Sequence, residues 1–320
     1  MNCLVFGAGA VGLGLASCLL KNGVDVSLIV REDTARALQE NGLRRDGIFG
    51  SFYAESNSFT VMTSLEDAEN RINFDVILIC TKSFDSCFIA ELLSKQKSIL
   101  AKNSIIVLCQ NGWGNAEIFY QYFPHHIIFN ARIITGFMRN KKNEVVVTVH
   151  ADAIHLGSLS GTENKLLGIL ADSITAGGIP CNVVSDIVKD LWAKMLYNCA
   201  LNPLGSIFQV PYGKLGDCPE TKDIMDAIVR EIFLVMTKSG YKTHWDNEQA
   251  YRQKFYQDLL PKTKYHLSSM LQDIRSGKRT EIDALNGAVI NIAEKHSIAV
   301  PANEIIFKMI KFMEKKAGIS

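Results

Sequence analysis

Excess charge is what this chain most conspicuously lacks. Its 34 Lys and Arg face 33 Asp and Glu, a net charge of +1, and no basic run exceeds two or three residues. Nucleic acid and anionic membrane surfaces are bound through concentrated basic patches, so neither partner is expected. Long apolar runs are missing as well. Nowhere do about 18 apolar residues follow one another, the length that reads as a membrane-crossing helix. The opening Asn2-Cys3-Leu4-Val5-Phe6 has no basic region before it and reads as a strand rather than a leader, so the expected location is the cytoplasm. The eight cysteines (3, 18, 80, 87, 109, 181, 199, 218) include no CxxC pair. Several sit in apolar runs, as Cys80 does, which suits buried free thiols better than a disulfide framework. The seven histidines show no HExxH or paired spacing, and no metal site is expected. Repeats, low-complexity tracts and flexible linkers are also absent.

What is present is a globular composition, 48% hydrophobic and 21% charged, over 320 residues. That length suits two domains. The apolar run 2–6 leads directly into Gly7-Ala8-Gly9-Ala10-Val11-Gly12 and then a helical pattern through Leu20. GxGxxG carries meaning in this context of strand, tight turn and helix. Gly7 permits the turn, Gly9 lets backbone approach a pyrophosphate, and Gly12 allows the helix to pack closely on the strand. The helix N-terminus offers N–H groups and a positive dipole end to phosphates. Together these predict a dinucleotide-binding unit.

The next expected strand, 24–30, ends at Arg31. An acid near this point takes the ribose 2′-hydroxyl of NAD, whereas an Arg accommodates the 2′-phosphate of NADP. Glu32 and Asp33 follow at once and leave both open, with NADP preferred. Asp33 is placed to cap a helix to about Asn41, with Gly42 as its stop. Residues 43–54 read as a hairpin insertion, 59–62 as a strand, and 75–80 as a buried strand ending in Thr81-Lys82-Ser83. Residues 104–108 form another, ending in Cys109-Gln110-Asn111-Gly112. Gly7, Arg31, Lys82 and Asn111 therefore all lie beyond the carboxyl ends of parallel strands, where doubly wound sheets bind ligands. Lys82 also fits a plain surface lysine, and Asn111-Gly112 plain turn chemistry. Residues 126–157 are β-rich and predict antiparallel strands extending the sheet. A helix at 164–176 and a strand at 181–184 complete a first domain, 1–185, with a hinge at 180–186.

From Asp186 to Ser320 only helices are expected: one from about 186, then 220–239, 247–260, 269–275, 281–295 and 302–315. In the first of these Lys194, Asn198 and Asn202 fall at i, i+4 and i+8, one stripe of a helix. Pro203 should end or kink that helix. An ammonium and two carboxamides in a row suit a small anionic ligand, although an exposed polar stripe has the same spacing.

These pieces, in this order, resemble the ketopantoate reductase (2-dehydropantoate 2-reductase) family along nearly the whole chain. The matching segments are Gly7–Gly12 with Arg31, Thr81-Lys82, Gln110-Asn111-Gly112 and Lys194…Asn198…Asn202-Pro203. They continue with Ser268-Ser269-Met270-Leu271-Gln272-Asp273-Ile274-Arg275, Thr280-Glu281-Ile282-Asp283 and Asn286-Gly287. The resemblance implies a Rossmann-type sheet that binds NADP(H) through Gly7, Ala8, Gly9, Ala10, Val11, Gly12, Arg31, Lys82 and Asn111. It implies a helical domain in which Lys194 is the general acid and Glu281 assists. Asn111, Asn198, Asn202 and Ser269 would contact the substrate. The implied reaction is NADPH-dependent reduction of 2-dehydropantoate to (R)-pantoate, towards pantothenate and coenzyme A, by a monomer or homodimer. Pro211-Tyr212-Gly213 departs from a family pattern that carries an Asn, which touches the outer substrate pocket. Two alternatives stay open on the same fold: a reductase of another branched or aromatic 2-keto acid, with NADP or NAD, and a non-catalytic NADP(H)-sensing binding protein. Reduction of a keto acid builds negative charge on its carbonyl oxygen, and Lys194 supplies the cation or proton donor this requires. An acid such as Glu281 in the first turn of a helix is also favoured simply by the dipole.

Overall fold

In the computed structural model, which describes residues 1–68 and 73–319, strand β1 (Asn2–Phe6) lies inside an eight-stranded sheet. Its neighbours are β2 (Asp25–Ile29) on one side and, on the other, the strand Phe74–Ile79. The remaining strands of the first compact unit are β3 (Leu43–Gly47), β4 (Phe52–Ala54), β5 (Thr60–Met62), β6 (Phe74–Ile79), β7 (Leu100–Leu108), β8 (Ile128–Arg132), β9 (Thr135–Lys141), β10 (Glu144–His150), β11 (Ile154–Gly157) and β12 (Cys181–Val183). Its helices are α1 (Ala10–Lys21), α2 (Glu32–Asn41), α3 (Ser86–Lys95), α4 (Asn115–Tyr120) and α5 (Lys165–Ala176).

The large sheet runs β12-β11-β8-β7-β6-β1-β2-β5. From β5 to β8 every pair is parallel, in the spatial order 3-2-1-4-5-6 of doubly wound dinucleotide-binding sheets. The strands read as continuous apolar runs because both of their faces are buried. Alternate side chains divide between two cores. Val5, Leu28, Leu78 and Val107 join α1 and α5 on one side, and Leu4, Ile29, Ile77 and Ile106 join α3 and α4 on the other.

The expectation that the 126–157 region only extends this sheet with antiparallel strands needs correction. β8 is parallel to β7, β11 is antiparallel to β8, and β12 follows β11 in parallel. β9 and β10 leave altogether to form a second sheet, β4-β3-β10-β9, in which β10 pairs β3 in parallel. Small residues on α1 admit this sheet. A Cβ on Gly14 would stand 2.3 Å from the Phe137 ring. Next to it, the fully buried Arg45 donates to Ser17 Oγ (3.3 Å) and to the Gly177 carbonyl (3.1 Å).

Asp33 is not the cap of α2. Arg31 holds the extended N-cap backbone (φ −71°, ψ 154°), and Asp33 already lies in the first turn. Gly42 does stop the helix, with φ +65°.

The second unit comprises residues 111–114 and 188–320, and its described elements are all helical: α6 (Ile187–Ile207), α7 (Tyr212–Asp217), α8 (Pro219–Lys238), α9 (Glu248–Lys254), α10 (Leu260–Lys262), α11 (Ser269–Arg275), α12 (Asn286–Lys295) and α13 (Pro301–Lys316). α9 and α10 are joined by a π-helical stretch, Phe255–Leu259. α6 does not end at Pro203 but continues to Ile207. A proline there leaves the Cys199 carbonyl without its i+4 donor, and the buried Asn286 supplies one at 3.3 Å. The helix expected from Glu281 starts only at Asn286, after a short 3-10 turn at Ile282–Ala284. No helix among the described residues is long and apolar enough to cross a membrane.

Candidate active site

In the second unit, α6 carries Lys194, Asn198 and Asn202 on successive turns. Lys194 Nζ donates to Asn111 Oδ1 at 2.6 Å, and Asn111 Nδ2 donates to Glu281 Oε2 at 3.1 Å. One neutral amide thus bridges an ammonium and a carboxylate, accepting from the first and donating to the second. Glu281 is only 7% exposed, so its charge depends on donors of this kind.

The backbone holds Asn111 from its C-terminal side. Gly112 has φ +91°, and a Cβ there would come 2.4 Å from the Ala284 carbonyl. The Trp113 N–H donates to that same carbonyl at 2.8 Å. The Trp113 ring meets Trp192 and Tyr241 at centroid distances of 4.9 Å each. Sequence reasoning passed over Trp113; its adjacency to Asn111-Gly112 was the only available signal. Glu281 is held from its other neighbour. The N–H and hydroxyl of buried Thr280 both donate to Glu314 Oε1 at 2.7 Å. The first-helical-turn account of Glu281 does not apply, since α12 begins five residues later.

Further along α6, Asn202 is buried and accepts at Oδ1 from the Tyr212 hydroxyl. Burial pushes the Tyr212 phenol well above its ordinary range, so it stays a neutral donor. The residue that departs from the family pattern therefore orients a residue that keeps to it. Ser206 Oγ donates to the Asn202 carbonyl at 2.8 Å and shares a bond with Ser268 Oγ at 3.0 Å. Ser268 in turn caps α11 through the Leu271 N–H. Ser269 opens α11 with its side chain exposed, and Asn198 is half-buried. Neither belongs to the Lys194–Asn111–Glu281 chain of bonds.

In the first unit, the glycine turn between β1 and α1 has the form expected of it. Gly7 has φ +100°, and a Cβ there would stand 2.8 Å from Thr81 Cγ2. A Cβ on Gly12 would meet the Gly7 carbonyl at 2.0 Å, so α1 sits on the turn as only glycine allows. At Gly9 the nearest heavy atom to a Cβ would be 3.9 Å away, which leaves the backbone open to approach. Gly9 is also the N-cap and provides no side-chain bond, so the first-turn N–H groups of Ala10 and Val11 suit a phosphate. These residues fit a dinucleotide. Arg31 is exposed at the end of β2, and Lys82 follows β6. Gln110 Nε2 ties the loops after β6 and β7 together, donating to the Lys82 carbonyl at 3.1 Å and to Ser86 Oγ at 2.8 Å.

The ketopantoate reductase PanE/ApbA family model matches residues 3–161, and the model for the C-terminal part of the same reductases matches residues 186–314. The chain belongs to the ketopantoate reductase family. Among its relatives, the 2-dehydropantoate 2-reductase of Aquifex aeolicus is 35% identical over 315 residues, 98% of this chain and 97% of the relative. That of Salmonella typhimurium is 29% identical over 318 residues, 99% and 96% of the two chains. A solved ketopantoate reductase of the PanE/ApbA family from Ralstonia eutropha is 27% identical with a TM-score of 0.85, covering 99% of this chain and 100% of its own. D-mandelate dehydrogenase, in a ternary structure with NADH and anilino(oxo)acetate, shares the fold with a TM-score of 0.85 at 21% identity, over 99% and 100% of the chains. The protein is thus an oxidoreductase of the ketopantoate reductase family.

Proposed function

We propose that this protein reduces 2-dehydropantoate to (R)-pantoate with NADPH, a cytoplasmic step towards pantothenate and coenzyme A. Residues 1–185 hold the cofactor, and residues 186–320 hold the substrate and the proton donor. The Lys194–Asn111–Glu281 chain of bonds carries the reading. When bound, the reduced nicotinamide supplies the hydride for the keto carbon. Lys194 places an ammonium where the carbonyl oxygen gains charge and gives it the proton. Asn111 keeps Lys194 and Glu281 in register through its two amide ends, which fixes the direction in which each points. Glu281 accepts from a substrate hydroxyl, while Asn198, Asn202 and Ser269 donate to the carboxylate and hydroxyl groups. Gly7 to Gly12 cradle the pyrophosphate, with Lys82 beside the cofactor and Arg31 on its 2′-phosphate.

Initial rates of NADPH and NADH oxidation, with 2-dehydropantoate set against branched and aromatic 2-keto acids, test this directly. The expected result is the highest kcat/KM for 2-dehydropantoate with NADPH. A preference for an aromatic acid or for NADH would move the protein to a neighbouring specificity on the same fold. Cofactor binding with no turnover of any keto acid would make it a sensor.

A further inference from the structure

The strand end at Arg31 is ambiguous in isolation, because Glu32 and Asp33 follow a residue that suits a 2′-phosphate. The second sheet brings two more basic groups to that point. Arg139, on β9, donates from Nη2 to Thr34 Oγ1 at 2.9 Å. Thr34 is itself held at the strand end, its N–H donating to the Arg31 carbonyl at 2.9 Å. Lys142, in the β9–β10 turn, reaches Asp33 Oδ2 at 2.5 Å. The Asp33 Oδ1 atom accepts from Thr34 Oγ1 at 3.1 Å. The hairpin is fixed in this place independently of Lys142. Arg139 donates to the backbone carbonyls of Lys141 (3.3 Å) and Lys142 (2.7 Å). The buried Asn143 donates to the Gly42 carbonyl just past α2 at 3.0 Å, and β10 pairs with β3.

We infer that the β9–β10 hairpin completes a site for the ribose 2′-phosphate of NADP(H), with Arg139 as a second guanidinium beside Arg31 and Lys142 as the counter-charge that takes Asp33 out of competition. The inference rests on the NADPH reading above and adds the residues that decide it. An unpaired Asp33 would repel a phosphomonoester and would accept from a bare ribose hydroxyl, as the acid of an NAD site does. Paired with Lys142, it does neither well. Lys142 holds the Asp33 carboxyl below its ordinary range, and Thr34 adds to the effect. Arg139 is half-buried. Burial lowers its guanidinium from the usual value, Asp33 opposes this, and the nearby Arg31 lowers it further. Two guanidinium groups that feel each other's repulsion are relieved by a dianionic phosphate and gain nothing from a ribose hydroxyl.

The test measures dissociation constants for NADPH and NADH without substrate, by nicotinamide fluorescence or calorimetry, with melting temperature as the control for folding. Arg31→Ala, Arg139→Gln, Lys142→Ala and the double variant Asp33→Asn/Lys142→Ala are compared with the parent. Arg139→Gln should weaken NADPH about tenfold, the scale of one charge-assisted hydrogen bond, and NADH by less than about twofold. Lys142→Ala should weaken NADPH by roughly threefold, a surface-pair effect, and the added Asp33→Asn should restore it. That rescue would not occur if Lys142 merely braced the hairpin. Equal weakening of both cofactors, or no rescue in the double variant, overturns the inference. If Arg31→Ala weakens NADPH selectively while the Arg139 and Lys142 variants do not, this inference fails and the cofactor reading stands. If the parent prefers NADH, both fail.

Discussion

Replacing Asn111 by Asp is the sharpest test of the bridge between Lys194 and Glu281, because it changes one atom and almost no volume. The oxygen facing Lys194 Nζ stays an acceptor at 2.6 Å, but the group 3.1 Å from Glu281 Oε2 turns from donor into anion. Two unit charges at the longer distance repel by about 5 kcal/mol at an effective dielectric of ~20, and the new attraction to Lys194 is of similar size, about 6 kcal/mol. Stability should therefore change little, with the melting temperature moving by no more than about 4 °C. Catalysis should not escape in the same way. Lys194 becomes half of an ion pair and gives up its proton less readily, while Glu281 loses the amide donor at Oε2 and faces an anion in its place. A loss of about 10²–10³-fold in kcat at neutral pH is expected, within the range for disabling a general acid. Steady-state rates of NADPH oxidation with 2-dehydropantoate, alongside thermal melts, measure both effects. A kcat within about threefold of the parent would refute the bridge's role in proton transfer. A large fall in melting temperature would show that Asn111 is structural instead.

Lys194→Ala should lower kcat by roughly 10²–10⁴-fold with the fold retained, and near-normal turnover would remove Lys194 from the chemistry. Trp113→Ala deletes a ring packed on Trp192 and Tyr241; urea denaturation should show a loss of about 3–5 kcal/mol, with Trp113→Phe recovering most of it. Tyr212→Phe leaves buried Asn202 Oδ1 without its donor. It should destabilise the protein by about 1–3 kcal/mol and raise KM more than it lowers kcat; an unchanged KM would detach Asn202 from the substrate. Burial lowers the His266 imidazole from its ordinary 6.5. The unfolded chain therefore takes up a proton first as pH falls, so His266 contributes stability above pH 6.5 that is lost as pH drops from there towards its folded value. Melting temperature should fall over that interval, and His266→Gln should flatten the slope; an unchanged slope would assign it elsewhere.

What could be read from the sequence was local or periodic. The run from Leu4 through Gly12 is a strand, a turn and a helix start within a few residues, and the apolar strands announce a sheet buried on both faces. Helical spacing alone put Lys194, Asn198 and Asn202 on one side of α6. Resemblance to a family then supplied roles for residues whose spacing carries no chemistry, Glu281 above all. Where reading failed, a distant partner had overruled a local rule. Pro203 was expected to end or kink α6; the helix does not end there, because the carbonyl the proline leaves unsatisfied is met by Asn286, 87 residues on from Cys199. Asp33 looked like a helix cap and instead answers Lys142, 109 residues away. β9 and β10 looked like extensions of the sheet, yet glycine and other small residues on α1 admit a second one.

The sequence by itself determined the nucleotide-binding turn, the buried strands that follow it, and the helical character of the second half. These depend on backbone freedom, side-chain alternation and helical period, which act over a handful of residues. Only the tertiary structure decided that Asn111 meets Lys194, 83 residues away, and Glu281, 170 residues away. It alone set Tyr212 on Asn202 and the β9–β10 hairpin beside Arg31. Pairings of this kind are chosen by which buried donor finds which buried acceptor once the chain is packed, and no spacing along the chain encodes that choice.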